Sequence, residues 1–429
     1  MSRRPKTDEA MDSVSEESSA SPPNGRSLLG AVRRWRHLTR QHERSSYSLW
    51  QLAAYFLKLG AIGFGGPVAL VGYMRRDLVE TRKWISEEDY DVGLALAQLS
   101  PGPLAAQLGF YLGFVHYGVL GATLVGIAFV LPSFVIVVAL GWAYALYGGI
   151  QWIQAIFYTV GAAVIGIIAN SAYGLTKKTI GKDRLLWAIF LVLAAVTVIT
   201  ESEIIWLFLG TGVLVWLVRR PPQRLKAALS KVSTLVMAPL HLALPGVPAA
   251  SGSELVTIFG FFAKAGAFVF GSGLAIVPFL YTGVVKELGW LNVREFLDAV
   301  AVAMITPGPV VITTGFIGFL VSGFAGATVA SAATFLPAYL LTILPAPYFK
   351  QYGQVPSIAA FVEGVTAAAI GAITGAVIVL GRRSIVDVPT AAIAVLVLAL
   401  LMQKRMRIPE PLIVLVAGLM GPLLYPLIR

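Results

Sequence analysis

The sequence predicts an all-α polytopic membrane protein built from two homologous helical-bundle repeats with broken or re-entrant helices. Three observations predict it. Of 429 residues, 57% are hydrophobic and only 13% charged, whereas a soluble domain carries about 25% charged residues. Apolar runs of roughly the 20 residues that a transmembrane helix needs recur along the chain. The second half of the chain repeats the first in register.

The apolar runs begin near Trp50, Val92, Val119, Ile150, Leu185 and Ile204, and again near Leu255, Leu297, Phe324, Ile358, Ile385 and Pro411. They divide the chain into a tail over 1–49, a first membrane repeat over 50–218, a linker over 219–253 and a second repeat over 254–429. The tail holds six arginines and one acid between Arg26 and Arg44. No apolar stretch follows its early arginines, so it reads as a partly disordered cytoplasmic tail resting near anionic headgroups, not as a cleavable signal. The linker opens with five basic residues and no acid between Arg219 and Lys231. Its next stretch, Val232 to Ala249, is apolar but Pro-broken, and either lies in the interface or crosses once.

A net charge of +11 first suggests nucleic acid. The charges instead sit in short clusters between apolar runs, as the positive-inside rule expects. There is no cysteine, which excludes disulfides, thiolate chemistry and cysteine metal sites. The four histidines show no ligand spacing. No metal, cofactor or enzymatic constellation is expected, and no nucleotide-binding motif appears. Gly271-x-Gly273 lacks the βαβ context of a dinucleotide signature.

Repetition is the strongest signal. Shifted by 206 residues, 56–110 aligns with 262–316 without a gap, with 17 identities in 55 positions. Lys58 falls on Lys264, Trp84 on Trp290, and Pro101-Gly102-Pro103 on Pro307-Gly308-Pro309. One residue is then dropped. Gly121-Ala122-Thr123 meets Gly326-Ala327-Thr328, and Lys177-Lys178 meets Arg382-Arg383. Orientation is less legible. Arg33–Arg44, Lys177–Arg184 and Arg219–Lys231 suit the cytoplasm, and Glu201 and Glu203 the outside. The loop 75–91, with four basic and six acidic residues, is compatible with the outside, giving six crossings in the first half. Charge does not decide whether the halves are parallel or inverted.

Four features bear on chemistry. Gly63-Phe64-Gly65-Gly66-Pro67 interrupts one apolar run, and Phe270-Gly271-Ser272-Gly273 interrupts its counterpart. Broken helices at matching points of two repeats point to a transporter's binding site; close packing through small residues is the other reading. Ser100-Pro101-Gly102-Pro103 and Thr306-Pro307-Gly308-Pro309 can each cap a restarting helix. Its free N–H groups and dipole would favour an anion, with Gln107, Thr313 and Thr314 as nearby hydrogen-bond donors; a plain kink is the alternative. Lys58 and Lys264 lie about 12–15 Å into their runs, so they either serve a site or snorkel to the interface. Glu363, whose repeat partner is Tyr158, is a proton-coupling candidate, or else pairs or caps at a helix end.

These residues resemble the chromate ion transporter family. Phe56-x-Lys58-Leu59-Gly60 with Phe64-Gly65-Gly66-Pro67 is similar to its first-half signature. Gln98-x-x-Pro101-Gly102-Pro103 with Gln107, then Tyr111-x-Gly113, is similar to the stretch that follows. Phe270-Gly271-Ser272-Gly273 and Pro307-Gly308-Pro309 repeat the pattern, and the likeness covers nearly all of 50–429. It departs at Leu104, where many members have an acid, and at Ser272, which breaks the second glycine run. The resemblance implies a two-domain member with antiparallel halves, exporting chromate from the bacterial cytoplasm across the inner membrane. A dianion would then sit between the halves, held by backbone N–H groups, by Ser100, Thr306 and Ser272, and by Lys58 and Lys264. One half would rock against the other. A carrier of sulfate or another oxyanion, or an anion channel, fits the same residues, and a homodimer is compatible with them.

Overall fold

The computed structural model describes residues 47–63, 66–147, 151–201, 204–220, 254–269, 273, 276–352, 356–403 and 408–424. Among them every regular element is helical. The first half runs α1 (Leu49–Ile62), α2 (Gly66–Met74, widening into π-turns over Arg75–Thr81), α3 (Glu87–Leu99), α4 (Leu104–Tyr147), α5 (Gln151–Thr179), α6 (Arg184–Thr200) and α7 (Ile205–Arg219). The second half runs α8 (Glu254–Ala267), α9 (Ile276–Leu280, widening over Tyr281–Glu287), α10 (Val293–Ile305), α11 (Thr313–Ile343), α12 (Ala346–Tyr352), α13 (Pro356–Ser384), α14 (Val388–Met402) and α15 (Glu410–Leu424).

The first two apolar runs of each half do not cross. They fold back. Tyr47 stacks on Trp84 at 4.9 Å, the Tyr55 hydroxyl donates to Asp77, and Gly63 lies against the Leu70 side chain. Rising numbers on α1 thus meet falling numbers on α2, so the chain reverses between the two helices. The next hairpin turns at Pro101-Gly102-Pro103. Gly93 on α3 packs on Tyr111 and Leu108 of α4, and the Tyr117 hydroxyl reaches back to the Tyr47 carbonyl. Both hairpins therefore begin and end on one face, called here the Tyr47 face.

The chain then makes its first crossing. Helix α4 breaks at Tyr117–Gly118, where Gly118 has φ +62°. Gly113 faces Gly121 and Phe110 faces Gly126, so 119–147 runs back along 104–116 and onward to the opposite face. Second-half counterparts repeat each step: α11 breaks at Ser322–Gly323, and Gly318 faces Gly326. Ser322 bonds Glu254 at 3.1 Å on the far face. Tyr47 and Glu254 thus lie on opposite faces, as inversion requires. The outer limbs confirm the antiparallel relation, since Tyr339 bonds Thr123 at 2.7 Å while Phe324 packs on Phe134.

The C-terminal helices interlock the halves. Helices α5 and α13 are 29 residues each, about 43 Å long. Helices α6 and α7 clasp α13, with Gly371 against Phe190, Gly375 against Thr197 and Gly212 against Phe361. Helices α14 and α15 clasp α5 through Gly166 on Val397 and Gly421 on Ala155. Glycine permits this backbone approach, the usual basis of helix association in lipid.

Two expectations change. The six apolar runs of the first half form two hairpins that fold back to the Tyr47 face and then four helices that run between the two faces, of which α4 and α5 are long and apolar enough to cross a membrane. The loop 75–91 lies on the Tyr47 face, with Trp84 against Tyr47. Its charge is balanced locally by Arg75, which bonds Glu87 and Asp91. The suggested crossing by Val232–Ala249 lies outside the described residues.

Candidate functional site at the crossing of the hairpin tips

The four hairpin tips meet. The Gly308 N–H donates to the Gly63 carbonyl at 3.0 Å, and the Gly102 N–H donates to the Val269 carbonyl at 2.6 Å. Each Pro-Gly-Pro tip thereby bonds the carbonyl freed where the first helix of the other half breaks. Both glycines hold a left-handed backbone, φ +142° at Gly102 and +96° at Gly308, which side-chain-bearing residues rarely adopt. Ser133, from the first outer limb, donates to the Pro307 carbonyl at 2.7 Å. A Cβ on Gly308 would meet Ser133 Oγ and the Gly60 carbonyl.

Gln107 stands one turn into α4 and is fully buried. Its amide nitrogen donates to the Pro101 carbonyl at 2.9 Å, and its Oε1 has no partner among the described residues. The N–H groups of Leu104, Ala105 and Ala106 also have no hydrogen-bond acceptor among the described residues; the Gln107 N–H is the first to bond, to Pro103. This tip is a helix start, with partial positive charge, largely buried in protein. The second tip differs. Val310–Ile312 form a 3₁₀ turn before α11 begins, and the Ile312 N–H is taken by Pro309. The two motifs share a sequence but not a helix start.

The hydroxyls nominated by sequence are engaged locally. Thr306 donates to Val302, Thr313 to Val310 and Thr314 to Val311, each within its own helix. Ser100 reaches the Leu341 carbonyl at 3.4 Å. Lys58 and Lys264 are exposed and project from the sides of α1 and α8 away from the packed glycines Gly60 and Gly266. Lys264 lies 5.8 Å from the Phe279 ring, and no described hydrogen bond or ion pair joins either lysine to the tips. Gly66 and Pro67 open α2, and Gly273 is buried. Phe64, Gly65, Gly271 and Ser272 lie outside the described residues.

Glu363 sits apart from the tips. It pairs with Arg219, which also binds Asp183 at 2.5 Å, on the Tyr47 face. The Leu186 N–H and then Arg219 hold the Asp183 carboxyl below its ordinary range. On the opposite face Glu201 pairs with Lys286 and, at 2.6 Å, with Arg383. Bonding to Lys286, followed by the charge of Arg383, likewise holds Glu201 low. Both clusters join one half to the other.

Sequence reading missed Ser133 and Asp298. Ser133 is one hydroxyl inside a long apolar run. Asp298 adjoins the apolar run that begins near Leu297 and resembles a boundary residue. The structure buries it, with 4% exposed.

A family model described as "Chromate transporter" matches the chain twice, over residues 50–216 and 256–422. The chain is 65% identical to the "Chromate transport protein" of Cupriavidus metallidurans, over 90% of this chain and 96% of that one. It is 62% identical to the "Probable chromate transport protein" of Synechococcus elongatus, covering 90% and 98%. A "Chromate transport protein" of Pseudomonas aeruginosa is 31% identical, covering 88% and 92%. No solved structure matches.

Proposed function

The chain belongs to the chromate transporter family, and we propose that it is a secondary transporter, not an enzyme, that exports chromate across the bacterial inner membrane. The observation that carries this reading is the largely buried helix start at the first Pro-Gly-Pro tip. Its three N–H groups without an acceptor among the described residues suit a tetrahedral dianion. Gln107 orients that tip by fixing the Pro101 carbonyl.

The Tyr47 face is assigned to the cytoplasm, because the basic tail and the Arg219–Lys231 stretch attach there. A dianion leaving a negative interior gains about 4.6 kcal/mol per 100 mV, twice the value for one charge. Potential alone therefore favours export. Access alternates as the hairpin core shifts against the scaffold of α5–α7 and α13–α15. Whole halves are poor moving bodies, since each half's C-terminal helices clasp the long helix of the other.

Everted vesicles test the reading. With an interior-positive potential imposed, labelled chromate is expected to accumulate, to saturate and to resist modest sulfate. Stronger sulfate transport would retain an oxyanion carrier and discard chromate as its cargo. Flux that never saturates would indicate a channel.

A further inference from the structure

A cavity of about 450 Å³ opens on the Glu201 face, away from the hairpin tips, lined by Tyr158, Arg294, Asp298, Arg383 and Ser384 among apolar neighbours. Ser384 Oγ is enclosed there without a partner among the described residues. Arg294 and Asp298 lie one turn apart on α10, the helix that leads into the second Pro-Gly-Pro. Asp298 has one hydrogen bond, from the Tyr144 hydroxyl at 2.7 Å. No other described acid is so deeply buried.

The repeat makes the cavity more informative. In the first half the counterparts of Arg294, Asp298 and Tyr144 are Glu88, Val92 and Phe349 across the repeat, and that of Tyr158 is Glu363. The Tyr47 face therefore carries Glu88 where this face carries Arg294, while Arg383 keeps a basic counterpart in Lys178. Among the described residues, the buried carboxyl of Asp298 has an apolar counterpart in Val92. Structural symmetry did not require either difference, and intramembrane ionisable groups commonly mark ion pathways.

We propose that this cavity is a second oxyanion subsite, gripped by Arg294, Arg383 and Ser384 and emptied by Asp298. The proposal rests on the transport reading above. With anion bound, the Asp298 carboxyl holds a proton, since two negative groups in one enclosed space repel. When the proton passes to water on this face, the carboxylate competes for the arginines and the anion leaves. Other acids adjoin the residues that line the cavity. Glu295 neighbours Arg294, Asp387 accepts from Tyr158, and Glu201 holds Arg383. Glu201, Asp387 and Glu295 lie at helix ends and are not buried, which leaves Asp298 as the enclosed acid lining the cavity.

Chromate binding to the purified full chain is to be measured by calorimetry, in buffers of differing ionisation heat and across the pH range where chromate is wholly dianionic. The wild type is expected to take up one proton per anion bound at this subsite, and to lose affinity by up to about tenfold per pH unit as pH rises. Asp298→Asn keeps an acceptor for Tyr144, and should bind with no proton uptake and no pH dependence. Arg294→Gln should weaken binding at least tenfold. Proton uptake that survives in Asp298→Asn would overturn the proposal. If that variant does not insert, unchanged affinity in Arg294→Gln and Ser384→Ala would do so. Wild-type binding without proton uptake removes this subsite alone, whereas no chromate binding at any pH removes the transport reading as well.

Discussion

The Gly308 N–H donates to the carbonyl of Gly63 at 3.0 Å, and the same bond recurs one repeat away between Gly102 and Val269. A hydrogen bond whose two copies each cross between the halves is what a two-fold relation produces. It ties four helix breaks into one structure. Neither the breaks nor the tips are stable alone in lipid, because each leaves backbone groups unsatisfied; the crossing satisfies one with the other.

Gly308→Ala should abolish this arrangement. Alanine there needs a left-handed backbone, at about 1–3 kcal/mol, and its Cβ has no room beside Ser133 and Gly60. Chromate flux is expected to fall at least tenfold in correctly inserted protein. Gly72→Ala, whose Cβ meets nothing within 4 Å, should transport normally. Flux assays on protein matched for insertion distinguish the two.

Ser133→Ala removes the donor to Pro307 and leaves a buried carbonyl short of one bond. A net loss of about 1 kcal/mol is expected. Thermal unfolding in detergent should show a midpoint a few degrees lower, and flux should fall severalfold. Ser133→Thr should restore part of both.

Glu201 joins the halves on the face away from the tail. Its carboxyl is held low, so its contribution is full above the ordinary glutamate value and is lost as pH falls through the folded one. Glu201→Gln should therefore unfold more readily than wild type at neutral pH. The difference should vanish in acid. A constant difference across pH would show that charge is not the cause.

The absence of cysteine makes topology directly measurable. Single cysteines at Lys83 and Lys182 should react with an impermeant reagent from the cytoplasmic side only. One at Val388 should react from the other side. Labelling of Lys83→Cys from outside would restore the arrangement expected from the charge of the 75–91 loop.

How far the fold was legible follows from these residues. Pro-Gly-Pro and the paired glycine breaks stood out, because lysine, tryptophan and proline rarely align by chance in apolar sequence. The reversal at those breaks did not. A run of 20 apolar residues has the same composition whether it crosses or turns at its middle, and contacts such as Tyr47 with Trp84 and Tyr55 with Asp77 tell them apart. The tips themselves were marked in sequence, but their partners were not. The Gly63 and Val269 carbonyls are backbone groups, and Ser133 and Asp298 are single polar residues in or beside apolar runs. Sequence could nominate Thr306, Thr313 and Thr314 as donors but could not show that each hydroxyl donates to a carbonyl three or four residues earlier.

The most direct test compares chromate flux through wild type and Gly308→Ala in everted vesicles as an interior-positive potential is stepped. The account predicts saturable accumulation that rises with potential in wild type and is nearly absent in the variant. Equal flux in the two, or wild-type flux indifferent to potential, would contradict it.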